Sequence, residues 1–232
     1  MEQLAISPVG AELLDDPTAD PVAVTETLRN IARSNRWFGG TAAVLHGCRR
    51  LLAGLAPGTT LSLLDLGTGA GDLPRAAMQW AARRGIRLEP VGLERSRVAA
   101  GVASAAGIPC AVGCAGAPPV REKGIDLVLV SQVLHHLAPA SVVRLLATCD
   151  RLARRGVVIA DLRRGRLGPL VFWVGARALR FDPFTRVDGM TSIRRGYTPE
   201  ELRRLLAAAG IEATIDRRPG YRLVASWRTS SA

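Results

Sequence analysis

Lysine is nearly missing from this 232-residue chain: Lys123 is the single one, and arginine supplies the other 30 of the 31 basic residues. Against 20 acidic residues this leaves a formal net charge of +11. The arginines are scattered in small groups, such as Arg83 and Arg84, Arg163, Arg164 and Arg166, or Arg217 and Arg218. A nucleic-acid surface would gather them in one stripe interleaved with aromatics, and aromatics make up only 4% of the chain. A solvated basic surface therefore fits better than a nucleic-acid site, and an acidic membrane face or an anionic substrate remains as a further partner.

Cysteine is sparse as well. Cys110 and Cys114 lie four apart on an expected strand, which holds their Cα atoms about 13 Å apart, too far for a bridge. Cys48 and Cys149 are isolated on helical patterns. None has zinc-ligand spacing, so all four read as reduced, mostly structural thiols, and no metal site is expected. No apolar run approaches the roughly 20 residues that cross a bilayer. The opening "MEQLAISPVGAELLDDP" lacks the basic start and apolar core of a signal peptide. A cytoplasmic protein is the expectation. There is no internal repeat, and low complexity is confined to the closing "TSSA".

What is present reads as one α/β domain in four parts. Residues 1–57 are helical: "PVAVTETLRNIARSNRWFGG" spaces Val22, Val24, Leu28 and Ile31 for one helix ending at Gly39 and Gly40, and Thr41 opens a second helix through Leu55. Residues 58–162 alternate strand and helix: "LSLLDL", a helix over 73–84, "IRLEPVGLE", a helix over 96–106, "IPCAVG", "IDLVLVS", a helix over 139–152 and "GVVIADL". The continuously apolar "IDLVLVS" predicts a central parallel strand buried on both faces. Residues 163–197 form an insertion rich in the chain's few aromatics, read as a lid, with a plain packing helix over 170–179 as the equal alternative. Residues 198–232 supply a helix opening at Thr198, Pro199 and Glu200 and two closing strands, near 211–215 and 221–227.

The functional signal is "LLDLGTGAGDLP", with Gly67, Gly69 and Gly71 at alternate positions after a strand. Glycines there let the backbone turn and approach a ligand with no Cβ in the way, and the loop after the first strand of such a sheet borders its ligand crevice. Glu94 ends the second strand about 20 residues on, where a carboxylate meets ribose hydroxyls. The position for the final glycine of a dinucleotide loop holds Asp72 instead. With Asp65 it would repel a pyrophosphate, while both suit the cations of S-adenosylmethionine. Asp72 has a second reading as a helix N-cap ahead of Pro74.

These residues resemble motif I of the class I S-adenosylmethionine-dependent methyltransferases. "VGLERS" stands in the place of their second motif, and "VGCAGAPPVREKGIDLVLVSQVLHHL" is similar to their third and fourth motifs, in the spacing of the quinone-biosynthesis type. The resemblance covers about residues 60–160. It implies a Rossmann-like, seven-stranded, mostly parallel sheet with helices on both faces and the last strand antiparallel. By the same resemblance Asp65, Gly67, Thr68, Gly69, Gly71 and Asp72 surround the methionine part of the cofactor, Glu94 and Arg95 the ribose, and Ser131 and Gln132 the reacting centre. Cys114 stands where the third motif usually has an acidic residue at the adenine, leaving Ala115 or the backbone to serve it. "RSNRWFGG" looks like a cap over the cofactor, in which Arg36 pairs with the methionine carboxylate and Trp37 packs on the ligand; a helix-terminal arginine and a core tryptophan are equal readings.

For a hydroxyl acceptor the protein must align the partners and remove a proton. His135 or His136 in "QVLHHL", just past the strongest strand, is expected as that base, with one of the two facing the pocket. His46 reads as structural. "RVDGMTSIRRGY" resembles, more weakly, methyltransferases that accompany bacterial type III polyketide synthases, and puts Asp188 forward as an alternative base. This suggests O-methylation of a phenolic, quinonoid or polyketide acceptor, with an alkyl tail along Phe172 and Trp173, in secondary metabolism. C-methylation of such an acceptor is an alternative. So is a nucleic-acid methyltransferase, although "SQVL" stands where amino-methylating enzymes carry [N/D]-P-P-[F/Y]. A non-catalytic cofactor-binding protein, favoured by Cys114 alone, is the third.

Overall fold

The computed structural model describes residues 13–16 and 18–229. The reading of residues 1–17 as no leader lies mostly outside them, and the "TSSA" tail lies outside beyond Thr229.

Seven strands form one sheet: β1 (Thr60–Leu66), β2 (Arg87–Glu94), β3 (Cys110–Val112), β4 (Ile125–Ser131), β5 (Ala153–Leu162), β6 (Thr214–Arg218) and β7 (Arg222–Arg228). Their order across the sheet is β3-β2-β1-β4-β5-β7-β6, with β7 antiparallel to both neighbours and the first five strands parallel. Helices α1 (Pro21–Trp37), α2 (Gly40–Leu52), α3 (Asp72–Ala82), α4 (Arg97–Ala105), α5 (Pro139–Leu152), α6 (Gly168–Ala178), α7 (Pro183–Arg195) and α8 (Pro199–Ala208) connect or cover them.

Side chains two apart on a strand share a face, and β4 shows what its unbroken apolar run does. Leu127 and Leu129 pack into one core with α2 and α3, while Val128 and Val130 pack into the other with α5 and α8. A strand buried on both faces has no polar alternation, and this one is covered by helices on each side. The seven-stranded, mostly parallel expectation thus holds, antiparallel last strand included.

Several local expectations shift. The second helix stops at Leu52, three residues short of Leu55. The closing strand read near 211–215 runs from Thr214 to Arg218, because Ile211 is buried in the α5–α8 core. Cys114 lies beyond the short β3, and all four cysteines are free thiols. Gly71, not Asp72, occupies the N-cap of α3, in a left-handed conformation (φ 71°), and Asp72 is the first helical residue. Residues 163–197 hold two helices. Phe172, Ala176, Phe181 and Ile193 bury one side of the pair against Leu162, and Phe38 packs on Phe172 with ring centroids 5.4 Å apart. A Cβ at Gly189 would sit 2.1 Å from the Phe172 ring, so that helix contact depends on glycine.

The corner between α1 and α2 is tied to the β6–β7 turn. A Cβ at Gly220 would fall 2.1 Å from the Phe38 carbonyl oxygen, and one at Gly39 would fall 2.5 Å from the Pro219 carbonyl oxygen. The two backbones meet at a distance that only glycines on both sides allow.

Candidate active site

β1 and β4 are neighbours, but the chain leaves β1 toward β2 and β4 toward β5, and the crevice of a doubly wound sheet opens at such a divergence. The glycine loop starts there. Gly67, Gly69 and Gly71 all have positive φ, at 75°, 53° and 71°, and a Cβ at Gly67 would lie 2.5 Å from Val133. The Gly71 N–H donates to the Thr68 carbonyl at 2.9 Å and closes the turn.

Three carboxylates ring this loop. Asp65, 2% exposed, accepts the Thr68 hydroxyl on Oδ2 at 2.7 Å, while its buried Oδ1 has no hydrogen-bond partner. Burial pushes its pKa up to about 7; the Thr68 hydrogen bond opposes the rise, and the charges of Asp72 and Glu94 add to it. Asp72 is also raised, by burial above all, against the pull of the Asn35 amide. Glu94 accepts the Gly69 N–H on one oxygen at 3.1 Å and the N–H groups of Arg95 and Ser96 on the other at 2.8 and 3.3 Å. It thereby clamps the loop to the end of β2. Burial, with the charges of Glu94 and Asp65 adding to it, raises the Cys110 thiol to about 11. Cys114 and Ala115 follow β3 half-buried.

The second cluster sits past β4. Gln132 has the left-handed backbone (φ 56°) and links four elements. Asn35 donates to Asp72 at 3.0 Å, Gln132 donates to Asn35 at 2.7 Å, and Arg222 donates to Gln132 at 2.7 Å and to the Phe38 carbonyl at 3.1 Å. Arg222 is 3% exposed, and burial lowers its pKa to about 10 although Asp161 and Asp72 favour its charge. Ser131, buried, closes β4 just before.

The two histidines differ sharply. His135 is buried at 3% exposure, and its Nδ1 lies 2.7 Å from Asp161 Oδ1. Asp161 also accepts the N–H groups of Leu134 and Leu162, at 2.9 and 2.7 Å. Burial would raise this carboxyl, but His135 and the Leu162 amide hold it below the usual carboxylate range. A carboxylate only accepts, so Nδ1 of His135 carries a proton, and in the neutral ring Nε2 is the nitrogen left to accept. His136 stacks on His135 with centroids 4.2 Å apart, is half-buried, and has Nδ1 3.3 Å from Arg195 of α7.

Not every expected residue joins these clusters. Arg36 and Trp37 both face solvent, Trp37 at 65% exposure, so the core reading of Trp37 does not match its position; the adjacent Asn35 is the one turned inward. Asp188 accepts the Leu13 N–H at 3.1 Å. Phe172 is used in the α6–α7 contact, while Trp173 is 41% exposed. His46 pairs with Asp216 of β6 at 2.9 Å.

Asn35, Asp161 and Arg222 were not anticipated, whereas Arg195 belongs to the polar cluster "RVDGMTSIRRGY" that the sequence puts forward. Asn35 continues the spacing of Val24, Leu28 and Ile31, and a polar residue on a buried stripe is a readable sign. Asp161 near the end of "GVVIADL" mirrors Asp65 in "LSLLDL". Nothing local marks Arg222 among so many arginines.

Residues 64–160 match the family model described as "Methyltransferase domain". No curated protein matches the sequence. Among solved structures, the chain is similar to magnesium protoporphyrin IX methyltransferase from Synechocystis PCC 6803 with bound SAH, at 16% identity over 83% of this chain and 84% of that one, TM-score 0.57. It is similar to a SAM-dependent methyltransferase from Aquifex aeolicus, at 15% identity over 91% and 99%, TM-score 0.58. Human N-acetylserotonin methyltransferase in complex with SAM gives 16% identity over 91% of this chain and 57% of its own, TM-score 0.64.

Proposed function

We propose that this chain, an S-adenosylmethionine-dependent methyltransferase by its domain and fold, methylates a hydroxyl of a small phenolic, quinonoid or polyketide acceptor, with His135 as the base and Asp161 holding that imidazole. The observation that carries the cofactor half is the unpartnered, buried Oδ1 of Asp65 within a ring of three carboxylates. Such a site suits a cation and repels a phosphate. S-adenosylmethionine supplies an electrophilic methyl on a sulfonium that leaves as a neutral thioether, and it also carries an ammonium. Asp65 and Asp72 suit that charge, Glu94 suits the ribose, and the bare glycine backbone leaves room. Small-molecule acceptors are in keeping with the porphyrin and N-acetylserotonin enzymes of similar fold. An acceptor with an alkyl tail would also bring the protein to a membrane surface.

For proton removal the geometry favours His135. Its Nε2 is free to accept, and Asp161 fixes the tautomer and would stabilise the imidazolium once formed. His136 has the reverse arrangement, with Nδ1 beside the Arg195 guanidinium.

Calorimetry tests the cofactor half. S-adenosylmethionine and its demethylated product should bind, and NAD should not; NAD binding of similar strength sinks the reading. Apo Asp65, with its pKa near 7, holds a proton that a cationic ligand displaces. Affinity should therefore rise with pH up to about 7, by at most about tenfold per pH unit, and level off above it, with proton release below 7 visible as a dependence on buffer ionisation heat. Asp65→Asn should abolish that slope. Labelled methyl transfer to a panel of phenols and quinones tests the acceptor half, and label on carbon would replace O-methylation by C-methylation.

A further inference from the structure

Of the 11 large apolar side chains exposed on the described residues, seven fall between Leu167 and Val187. On α6 they are ordered. Leu167, Leu170, Val171 and Val174 follow the spacing of one helical face. Gly168, Phe172 and Ala176 form the opposite face, which is the buried one. Trp173 stands beside the stripe at 41% exposure, and Phe184 on α7 is exposed at 70%. A monomer gains nothing from keeping such a stripe in water.

The same segment is the most basic of the chain. Residues 163–197 hold eight arginines against two aspartates, which is +6 of the total +11. Both aspartates are engaged, Asp182 as the α7 N-cap and with Asn30, Asp188 with the Leu13 N–H. Arg166, Arg177, Arg180 and Arg194 are exposed and form no ion pair among the described residues.

We propose that this face of α6 docks on an anionic lipid bilayer, with the Leu/Val stripe among the acyl chains and the arginines on the headgroups. The charge decides between occupants: a second copy would bring one cluster of exposed arginines against another, and a nucleic acid would take the arginines but leave an aliphatic stripe wet. At 11 residues, or about 16 Å, α6 spans half of the roughly 30 Å hydrocarbon layer, so it lies in the interface, and no described helix is long and apolar enough to cross. Only the purpose of docking, access to a lipid-soluble acceptor, rests on the proposed methyl transfer. The binding is measured without cofactor or acceptor.

The full chain is sedimented with vesicles of phosphatidylcholine alone and with about 30% phosphatidylserine added. We expect about tenfold or stronger partition to the anionic vesicles. Leu170→Gln with Val174→Gln, and separately Arg177→Glu with Arg180→Glu, should each reduce that partition about tenfold, with thermal melts unchanged. Arg83→Glu with Arg203→Glu, which reverses the same number of charges elsewhere, should change it less than about twofold. Brominated acyl chains should quench tryptophan fluorescence in the native chain and much less in Trp173→Phe. Absence of binding to anionic vesicles overturns the proposal, as does an equal loss in the Arg83/Arg203 variant. Release from vesicles by single-stranded DNA that binds more tightly would assign the face to nucleic acid. A concentration-dependent dimer abolished by Leu170→Gln and Val174→Gln would assign it to a second copy.

Discussion

The two halves of the crevice are built in different ways. At the ends of β1 and β2 the glycine loop, Thr68, Asp65 and Glu94 bond to one another across at most 25 positions of sequence. On the far side, Asn35 meets Gln132 across 97 positions, Arg222 meets Gln132 across 90, and Arg195 meets His136 across 59. A near-continuous loop can be carried as a motif. Under the proposed function the second wall meets the acceptor, and a wall assembled from four or five distant elements can change one element at a time.

The sharpest test of this division is His135→Ala, which should lower turnover by about 10² or more while leaving cofactor affinity nearly intact, as single-turnover assay and calorimetry would show. The loss should shrink as pH nears the phenol's own pKa, where solvent supplies the phenolate. His136→Ala should do much less; if the two are reversed, Arg195 and His136 carry the proton transfer and Asp161 only positions. On the other side, Glu94→Ala should weaken S-adenosylmethionine binding by roughly 1.5 to 3 kcal/mol with turnover at saturation little changed. Asn35→Ala probes the seam. It leaves Asp72 and Gln132 each short of a partner and should cost about 1 to 3 kcal/mol in thermal or denaturant unfolding, with both cofactor affinity and turnover reduced. An effect on one alone would mean that the halves are separable after all. Smallest, Arg36→Ala and Trp37→Ala should each change cofactor affinity and stability by less than about 0.5 kcal/mol, since both side chains face solvent.

The same division explains what could be read from the sequence. The sheet was legible because its parallel strands are short apolar runs separated by amphipathic helices, and the loop because glycines at 67, 69 and 71 have few reasons other than backbone approach. Asp72 went to the wrong cap position because Asp and Gly are both acceptable N-caps, and only the left-handed φ of Gly71 decides. Arg36 and Trp37 drew attention as conspicuous residue types, yet helix phase turned Asn35 inward instead. Helix α7 escaped because its residues, "PFTRVDGMTSIRR", show little apolar periodicity, its burial being supplied by Phe172 and Ile193. Arg222 could not be singled out among 30 arginines, since its importance lies in where β7 is inserted, between β5 and β6.

That insertion has a consequence for the order in which the protein takes shape. The α1–α2 corner leaves the ribosome early, but its resting place is defined by Gly220 and by the Arg222 bond to the Phe38 carbonyl. During synthesis Phe38 therefore waits while some 180 further residues are added, and the crevice has an incomplete wall until β7 slides between its neighbours. The half-made chain already owns the glycine loop and its carboxylates. The proposed cofactor site is thus expected to form in the nascent protein before the proposed acceptor wall exists, making the cofactor the first ligand available to steady the remaining fold.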